Sequence, residues 1–295
     1  MARTLQEMGH DAVASRSLDA VDKDTVVVFL KFSRADQIQA AREQGALTLY
    51  DLCDNKFEED PDYKPCCLAA DVVTVNTEQM GESVKLNTGR DSFVIPDSYE
   101  RPVLKPRFDP GTDIKLLWFG SSASLKFFPM VPLWQGLERD IKNYHFTMVT
   151  AKAERILNKM KDRQSRGVFT GVNFDRIEVL DWSWDLQGQK LEECDIVFMP
   201  VATDNYRTDT KSANRVIDSL VSGRFVITSP LASYLVFASH TWQQDPIEGI
   251  KWALNNKDSV RHKITLGQSH ALTRYNPKVT ASRLLEVISA IKRSS

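Results

Sequence analysis

A chain of 295 residues is longer than one hydrophobic core usually organises, so two domains are expected. Its 42% hydrophobic, 26% charged and 9% aromatic side chains exclude a disordered or fibrous protein, and the net charge of −1 gives no global pull toward nucleic acid or a membrane surface. No run approaches the roughly 18 apolar residues of a membrane span. The opening MARTLQEMGHD lacks the apolar core of a signal peptide, so the cytoplasm is the expected location.

In chain order, the first residues read as a helix over 2–8, then Gly9 and His10, then a weak strand at 11–14. An α/β half normally opens on a strand, so a first strand is missing from the expected order, or the first half is unusual. Residues 25–32 (TVVVFLKF) form a β-branched and aromatic run of the kind found in strands buried on both faces. Residues 34–44 have helical spacing and stop at Gly45. Strands follow at 46–52, 70–76 and 92–95, with helices at 61–69 and 78–86. Residues 96–112 hold Pro96, Pro102, Pro106, Pro110 and Gly111 and read as a linker.

The alternation then restarts. Strands are expected at 114–119, 145–149, 177–180, 195–200 and 225–228, and helices at 128–141, 151–166, 186–194, 212–222, 247–255, 260–275 and 277–292. The helix over 151–166 gathers Lys152, Arg155, Lys159, Lys161, Arg163 and Arg166. With Glu154 and Asp162 mixed in, it reads first as a solvated face; the other reading is a docking site for a polyanion or lipid head group.

Strand–helix alternation twice over predicts an α/β chain of two Rossmann-like, doubly wound parallel-sheet domains facing a cleft. The boundaries fall at 1–105 and 106–276, with a terminal helix at 277–295 packing back on the first domain. Ligands of such sheets sit at the carboxyl ends of the strands.

Cys53, Cys66, Cys67 and Cys194 are too few for a disulfide scaffold, and the adjacent pair lacks zinc-knuckle spacing, so all four read as idle thiols. None of the five histidines has metal-ligand spacing.

Chemistry concentrates in 195–229, DIVFMPVATDNYRTDTKSANRVIDSLVSGRFVITS. A buried strand ends at Pro200, a polar loop follows, and Lys211-Ser212-Ala213-Asn214-Arg215 opens a helix that closes at Gly223. A helix amino end offers free N–H groups and a positive dipole, which suit a phosphate. Lys211 and Arg215 add charge, Ser212 and Asn214 add donors, and Asp218 stands one turn on, where a carboxylate accepts two ribose hydroxyls. The plainer alternative is that Ser212 or Thr210 caps the helix while Lys211 and Arg215 are solvated. In the first half, Asp51 and Asp54 lie at the carboxyl end of the strand read over 46–52, as acceptor-binding or general-base candidates; alternatively Asp54 caps the next turn and Asp51 pairs with a lysine.

The stretch DIVFMP…TKSANRVIDSLVSGRFVITS resembles the donor-binding segment of GT-B-fold glycosyltransferases of the family-1/family-4 group. LLWFGSSASLKFF resembles the first strand and loop of their C-terminal domain, and ADVVTVNTEQMGESV…FVIPDSYE the end of their N-terminal domain. The resemblance implies that Lys211, Ser212, Asn214 and Arg215 contact a donor diphosphate and that Asp218 takes the place of a ribose-binding glutamate. It implies that Gly120, Ser121 and Ser122 flank the donor phosphates, with Lys126 reaching toward them. It also implies that Tyr206, Arg207, Asp209 and Thr210 lie near the sugar. Where many family-4 members carry a glutamate, Thr210 stands here with Asp209 beside it, and Asp218 is one methylene short. Asp51, Asp54 and Asp209 are therefore the catalytic candidates.

The function expected is transfer of a sugar from a nucleotide-diphosphate sugar to an acceptor hydroxyl, with retention of configuration, no metal and no resident cofactor. The acceptor is open among a glycan, a lipid-linked glycan, a small molecule and a modified nucleic acid. An inactive or accessory sugar-nucleotide-binding protein and a GT-B-fold epimerase of nucleotide sugars are the alternatives.

Overall fold

The computed structural model describes residues 1–30, 34–201 and 209–293. They form two compact units. Of the described residues, the first takes those within 1–99, 209–214 and 274–293; the second takes 100–201 and 215–273.

The first unit carries a four-stranded parallel sheet of β1 (Val26–Leu30), β2 (Leu47–Leu52), β3 (Val72–Val75) and β4 (Phe93–Val94), in that spatial order. Its helices before the second unit are α1 (Ala2–Glu7), α2 (Ala35–Glu43), α3 (Tyr63–Ala69) and α4 (Glu78–Thr88). Every crossover steps the same way along the sheet. Right-handed crossovers of one direction put α2, α3 and α4 on one face. There Ile38, Tyr50, Leu52, Tyr63, Val73, Val75 and Val84 form a dry core, and each such side chain contributes about 1.5–3 kcal/mol on burial. The opposite face has no crossover helix to cover it. The last helix, Pro277–Lys292, does so, packing Leu284, Val287, Ile288 and Ile291 with Leu5 of α1 against Leu49, Val72 and Ile95.

Two sequence expectations fail in this unit. Residues 11–14 form no strand and are mostly exposed, and among the described residues no strand lies beside them. The β1 run is not buried on both faces: it is the edge of the sheet, and Val28 and Leu30 are 38% and 62% exposed. Lys31, Phe32 and Ser33 lie outside the described residues. The helix expected over 78–86 runs two residues further, over Glu78–Thr88. Thr77 caps α4 by accepting the N–H of Met80, and Gly89 ends it at φ +74.

The second unit carries five parallel strands: β5 (Ile114–Phe119), β6 (Tyr144–Thr150), β7 (Ile177–Asp181), β8 (Ile196–Met199) and β9 (Phe225–Thr228). The order is β7-β6-β5-β8-β9. The chain moves outward from β5 to β7, returns, and moves outward the other way from β8 to β9. The reversal lies between β5 and β8, and a doubly wound sheet receives ligands at the carboxyl ends of such a pair. The intervening helices are α5 (Met130–Gly136), α6 (Ala153–Ser165), α7 (Trp184–Glu193) and α8 (Asn214–Val221). Three more end the chain: α9 (Pro246–Asn255), α10 (Lys257–Arg274) and α11, the Pro277–Lys292 helix of the first unit.

An aromatic relay fills one side of the sheet. Phe146 meets Phe128, Trp134 and Phe198, and Trp134 continues to Phe169 and Phe174, with centroids 5.4–6.2 Å apart. The single helix expected over 128–141 is shorter. It begins at Met130 and passes into a π turn at Leu137–Ile141, after which Lys142 takes φ +63.

The linker packs rather than floats. Arg101, Phe108 and Pro110 are buried in the second unit. Arg224 is 1% exposed, and its guanidinium donates to the carbonyls of Leu191, Glu192, Gly223 and Lys105. It thereby closes the carboxyl end of α7 onto the linker, where orphan carbonyls would otherwise be buried.

Candidate functional site

At the carboxyl end of β5 the chain turns at Gly120. Arg215, the second residue of α8, lies against this turn, and its Nη1 donates to the carbonyl oxygen of Phe119 at 3.1 Å. A β-carbon on Gly120 would stand 3.0 Å from Nη1 and 3.3 Å from the Trp118 ring. Glycine is what lets the guanidinium settle on the main chain here. The turn then leads to Ser121, whose hydroxyl is 3.0 Å from that of Ser124, and to a 3-10 turn over Ser122–Phe127. Lys126 is exposed on that turn, 4.8 Å from the centre of the Phe127 ring. A permanent cation, a glycine turn and a helix amino end thus meet at the strand where the sheet reverses. Such an arrangement stabilises a phosphate or pyrophosphate.

The predicted helix start shifts by two residues. Ser212 precedes α8 and accepts the N–H of Asn214 at 3.2 Å, so the serine acts as a cap-like acceptor. Lys211 is half-buried, with its ammonium nitrogen out of solvent. Thr210 is buried in the first unit, and its carbonyl accepts the Thr77 hydroxyl at 3.4 Å. Asp209 is exposed. Tyr206 and Arg207 lie outside the described residues.

Asp218 has a main-chain partner. Its Oδ1 accepts the N–H of Glu100 at 2.9 Å and of Arg101 at 3.4 Å. Burial pushes its carboxyl up to about 6, against the pull of these bonds. The ribose role expected for it therefore shares the carboxylate with the first residues of the linker.

In the first unit, Asp51 and Thr74 are register partners on β2 and β3, and the Thr74 hydroxyl donates to Asp51 Oδ1 at 2.6 Å. One step further, Asn76 Nδ2 donates to the Cys53 carbonyl at 3.1 Å and to Asp97 Oδ2 at 3.2 Å. Burial raises the Asp51 carboxyl to about 6, Thr74 opposes the shift and nearby Asp97 adds to it. A carboxylate with such a value serves as a base near neutral pH. Asp54 is exposed and apart from these hydrogen bonds. Cys66 and Cys67 are buried and pushed up to about 11 and 12, which leaves them as inert thiols.

No family model matches the sequence, and no curated protein matches it by sequence. Solved structures do match the fold. HepE from Anabaena in complex with UDP superposes with a TM-score of 0.69 at 12% identity, over 90% of this chain and 79% of that one. A glycosyltransferase from Rickettsia africae gives 0.68 at 12%, over 99% and 88%. Sucrose-phosphate synthase from Thermosynechococcus elongatus gives 0.67 at 12%, over 92% and 74%. The fold is that of the GT-B glycosyltransferases.

Within this fold, the sequence reading assigned no site role to Arg101 in the linker, to Trp182 and Trp184 past β7 or to Asn76 past β3. Arg101 is buried, stacks 3.7 Å over Trp184 and donates to the Trp184 carbonyl at 2.7 Å. Nothing in a polar, proline-rich linker singles it out. Trp182 and Trp184 are 51% and 46% exposed just past β7, at the same carboxyl edge as Gly120. Two tryptophans flanking one serine at a strand end were the available signal. Asn76 was legible only as the polar residue closing the run VVTV.

Proposed function

We propose that the chain is a glycosyltransferase that moves a sugar from a nucleotide-diphosphate sugar to an acceptor hydroxyl. The reading rests on one observation, the Arg215 guanidinium seated on the Gly120 turn at the reversal of the second sheet. Arg215, Lys211 and the amino end of α8 hold the diphosphate and offset its growing charge as the glycosidic bond breaks. The serines at 121 and 122 and Lys126 border the phosphates. The exposed rings of Trp182 and Trp184 offer a stacking surface for the base. Asp51 receives the acceptor proton, with Asp54 and Asp209 as further carboxylates for the acceptor and sugar. Retention without a metal follows the family resemblance, with side-chain cations carrying the charge a metal would carry. The complexes of HepE with UDP and with UDP-glucose make a uridine diphosphate the first probe.

Calorimetric titration with UDP tests this. Arg215→Ala removes a charge-assisted contact of about 1.5–3 kcal/mol, so affinity falls roughly tenfold to a hundredfold. Unchanged affinity in a folded variant sinks the site.

A second reading, a nucleotide-sugar-binding protein without turnover, draws on Thr210 in the place of a glutamate and on the Asp218 carboxylate held by the linker main chain. Binding of UDP-sugars with no release of UDP across a panel of acceptors favours it.

A further inference from the structure

Helix α6 is amphipathic in an unusual way. Its apolar side, Ala153 and Met160 with half-buried Ile156 and Leu157, is spent on the second unit. Asp181 on β7 anchors its first turn by accepting the N–H of Ala153 at 3.0 Å. Its outer side exposes Arg155, Lys159 and Arg163, spaced four residues apart. At 100° per residue these fall within about 80° of the circumference and span about 12 Å of the axis. Arg166 borders them and pairs with Asp162 at 2.9 Å. Among the described residues, Arg155, Lys159 and Arg163 have no carboxylate partner; Arg163 lies 5.3 Å over the Phe169 ring.

Like charges four apart on a helix repel and destabilise it. Residues 152–166 hold six basic and two acidic side chains, a net +4, while the whole chain carries −1, which leaves −5 for the rest. The protein is therefore a weak anion overall with one localised cationic stripe, which turns this helix toward any anionic surface.

We propose that this stripe docks the chain on an anionic lipid surface. The contact is electrostatic, since α6 has no apolar side chain left to insert. The stripe is straight and sits on a convex helix, so a plane meets it without meeting its flanks. Asp162, seven residues on from Arg155, stands on the edge of the stripe and is paired with Arg166. Glu154 lies about 140° around from Lys159, where a wrapping nucleic-acid groove meets it and a plane does not, and the stripe carries no aromatic ring to stack on bases. The proposal stands independently of the sugar-transfer reading.

The test is co-sedimentation of the full chain with vesicles of phosphatidylglycerol mixed with phosphatidylcholine, and with pure phosphatidylcholine, at low and physiological salt. Binding to the mixed vesicles alone, weakening with salt, is expected. Each exposed cation near such a surface contributes about fivefold. Together, Arg155→Gln, Lys159→Gln and Arg163→Gln should lower binding roughly a hundredfold, with the thermal melt confirming the fold. Lys161→Gln, about 160° around the helix from Lys159, changes binding less than about twofold. Equal binding to both vesicle types, no binding to either, an unaffected triple variant, an equal loss with Lys161→Gln, or tighter binding to a duplex oligonucleotide at the same salt overturns the proposal.

Discussion

Gly223 and Pro106 approach so closely that a β-carbon on the glycine would lie 2.7 Å from the Pro106 Cα and 2.8 Å from its nitrogen. Gly223 also holds φ +64 after α8. Its role is thus double, ending the helix and admitting the linker main chain. Gly223→Ala meets backbone that does not yield cheaply. Left-handed strain of about 1–2 kcal/mol adds to overpacking of about 1–3 kcal/mol. Urea unfolding should show a loss of about 2–5 kcal/mol with an unchanged m-value.

The neighbouring Arg224 serves four carbonyls from a buried position, with no carboxylate among its hydrogen-bond acceptors. Burial lowers its pKa, yet a guanidinium stays charged. Lysine keeps the charge but lacks the planar fork that reaches both Leu191 and Lys105. Arg224→Lys is expected to cost about 2 kcal/mol and Arg224→Ala about 3–5 kcal/mol in chemical denaturation. Equal stability of all three proteins would contradict this account.

Asp218 sets a pH dependence of the less common sign. Its folded carboxyl titrates near 6, above the unfolded value of 3.8, so between roughly pH 4 and 6 the folded state binds more protons. Stability therefore falls as pH rises through that window. Asp218→Asn keeps an acceptor for the Glu100 and Arg101 N–H groups and removes the charge. The variant should gain about 1–2 kcal/mol at pH 7, after allowance for partial exposure, and lose that slope. Thermal melts of both proteins at pH 4.5 and 7, roughly the two sides of the window, measure it.

Asp51 offers a kinetic counterpart. As a base it must be ionised, so kcat rises through a limb near pH 6. Asp51→Asn removes the limb along with most of the turnover. Thr74→Val removes the 2.6 Å bond that favours the carboxylate, and moves the limb to higher pH. A profile unchanged in both variants assigns the proton to another group.

The strand–helix alternation and the helix that follows the KSANR segment were legible in the sequence, the strand read at 11–14 excepted, because each is written in neighbours a few residues apart. Caps such as Thr77 and closing glycines such as Gly89 and Gly223 act within one helical turn, and strand runs declare themselves by β-branched and aromatic side chains. Tertiary structure alone decided which strand is an edge. The run at β1 looks as buried as β3, yet among the described residues no strand pairs beyond it, and Val28 and Leu30, on the face opposite buried Phe29, are exposed. It also decided that the second face of the first sheet is covered by the last helix, and that Asp218 answers Glu100 across 118 residues of chain. Burial and pairing at such separations depend on the path of the whole backbone, and no local pattern encodes that path.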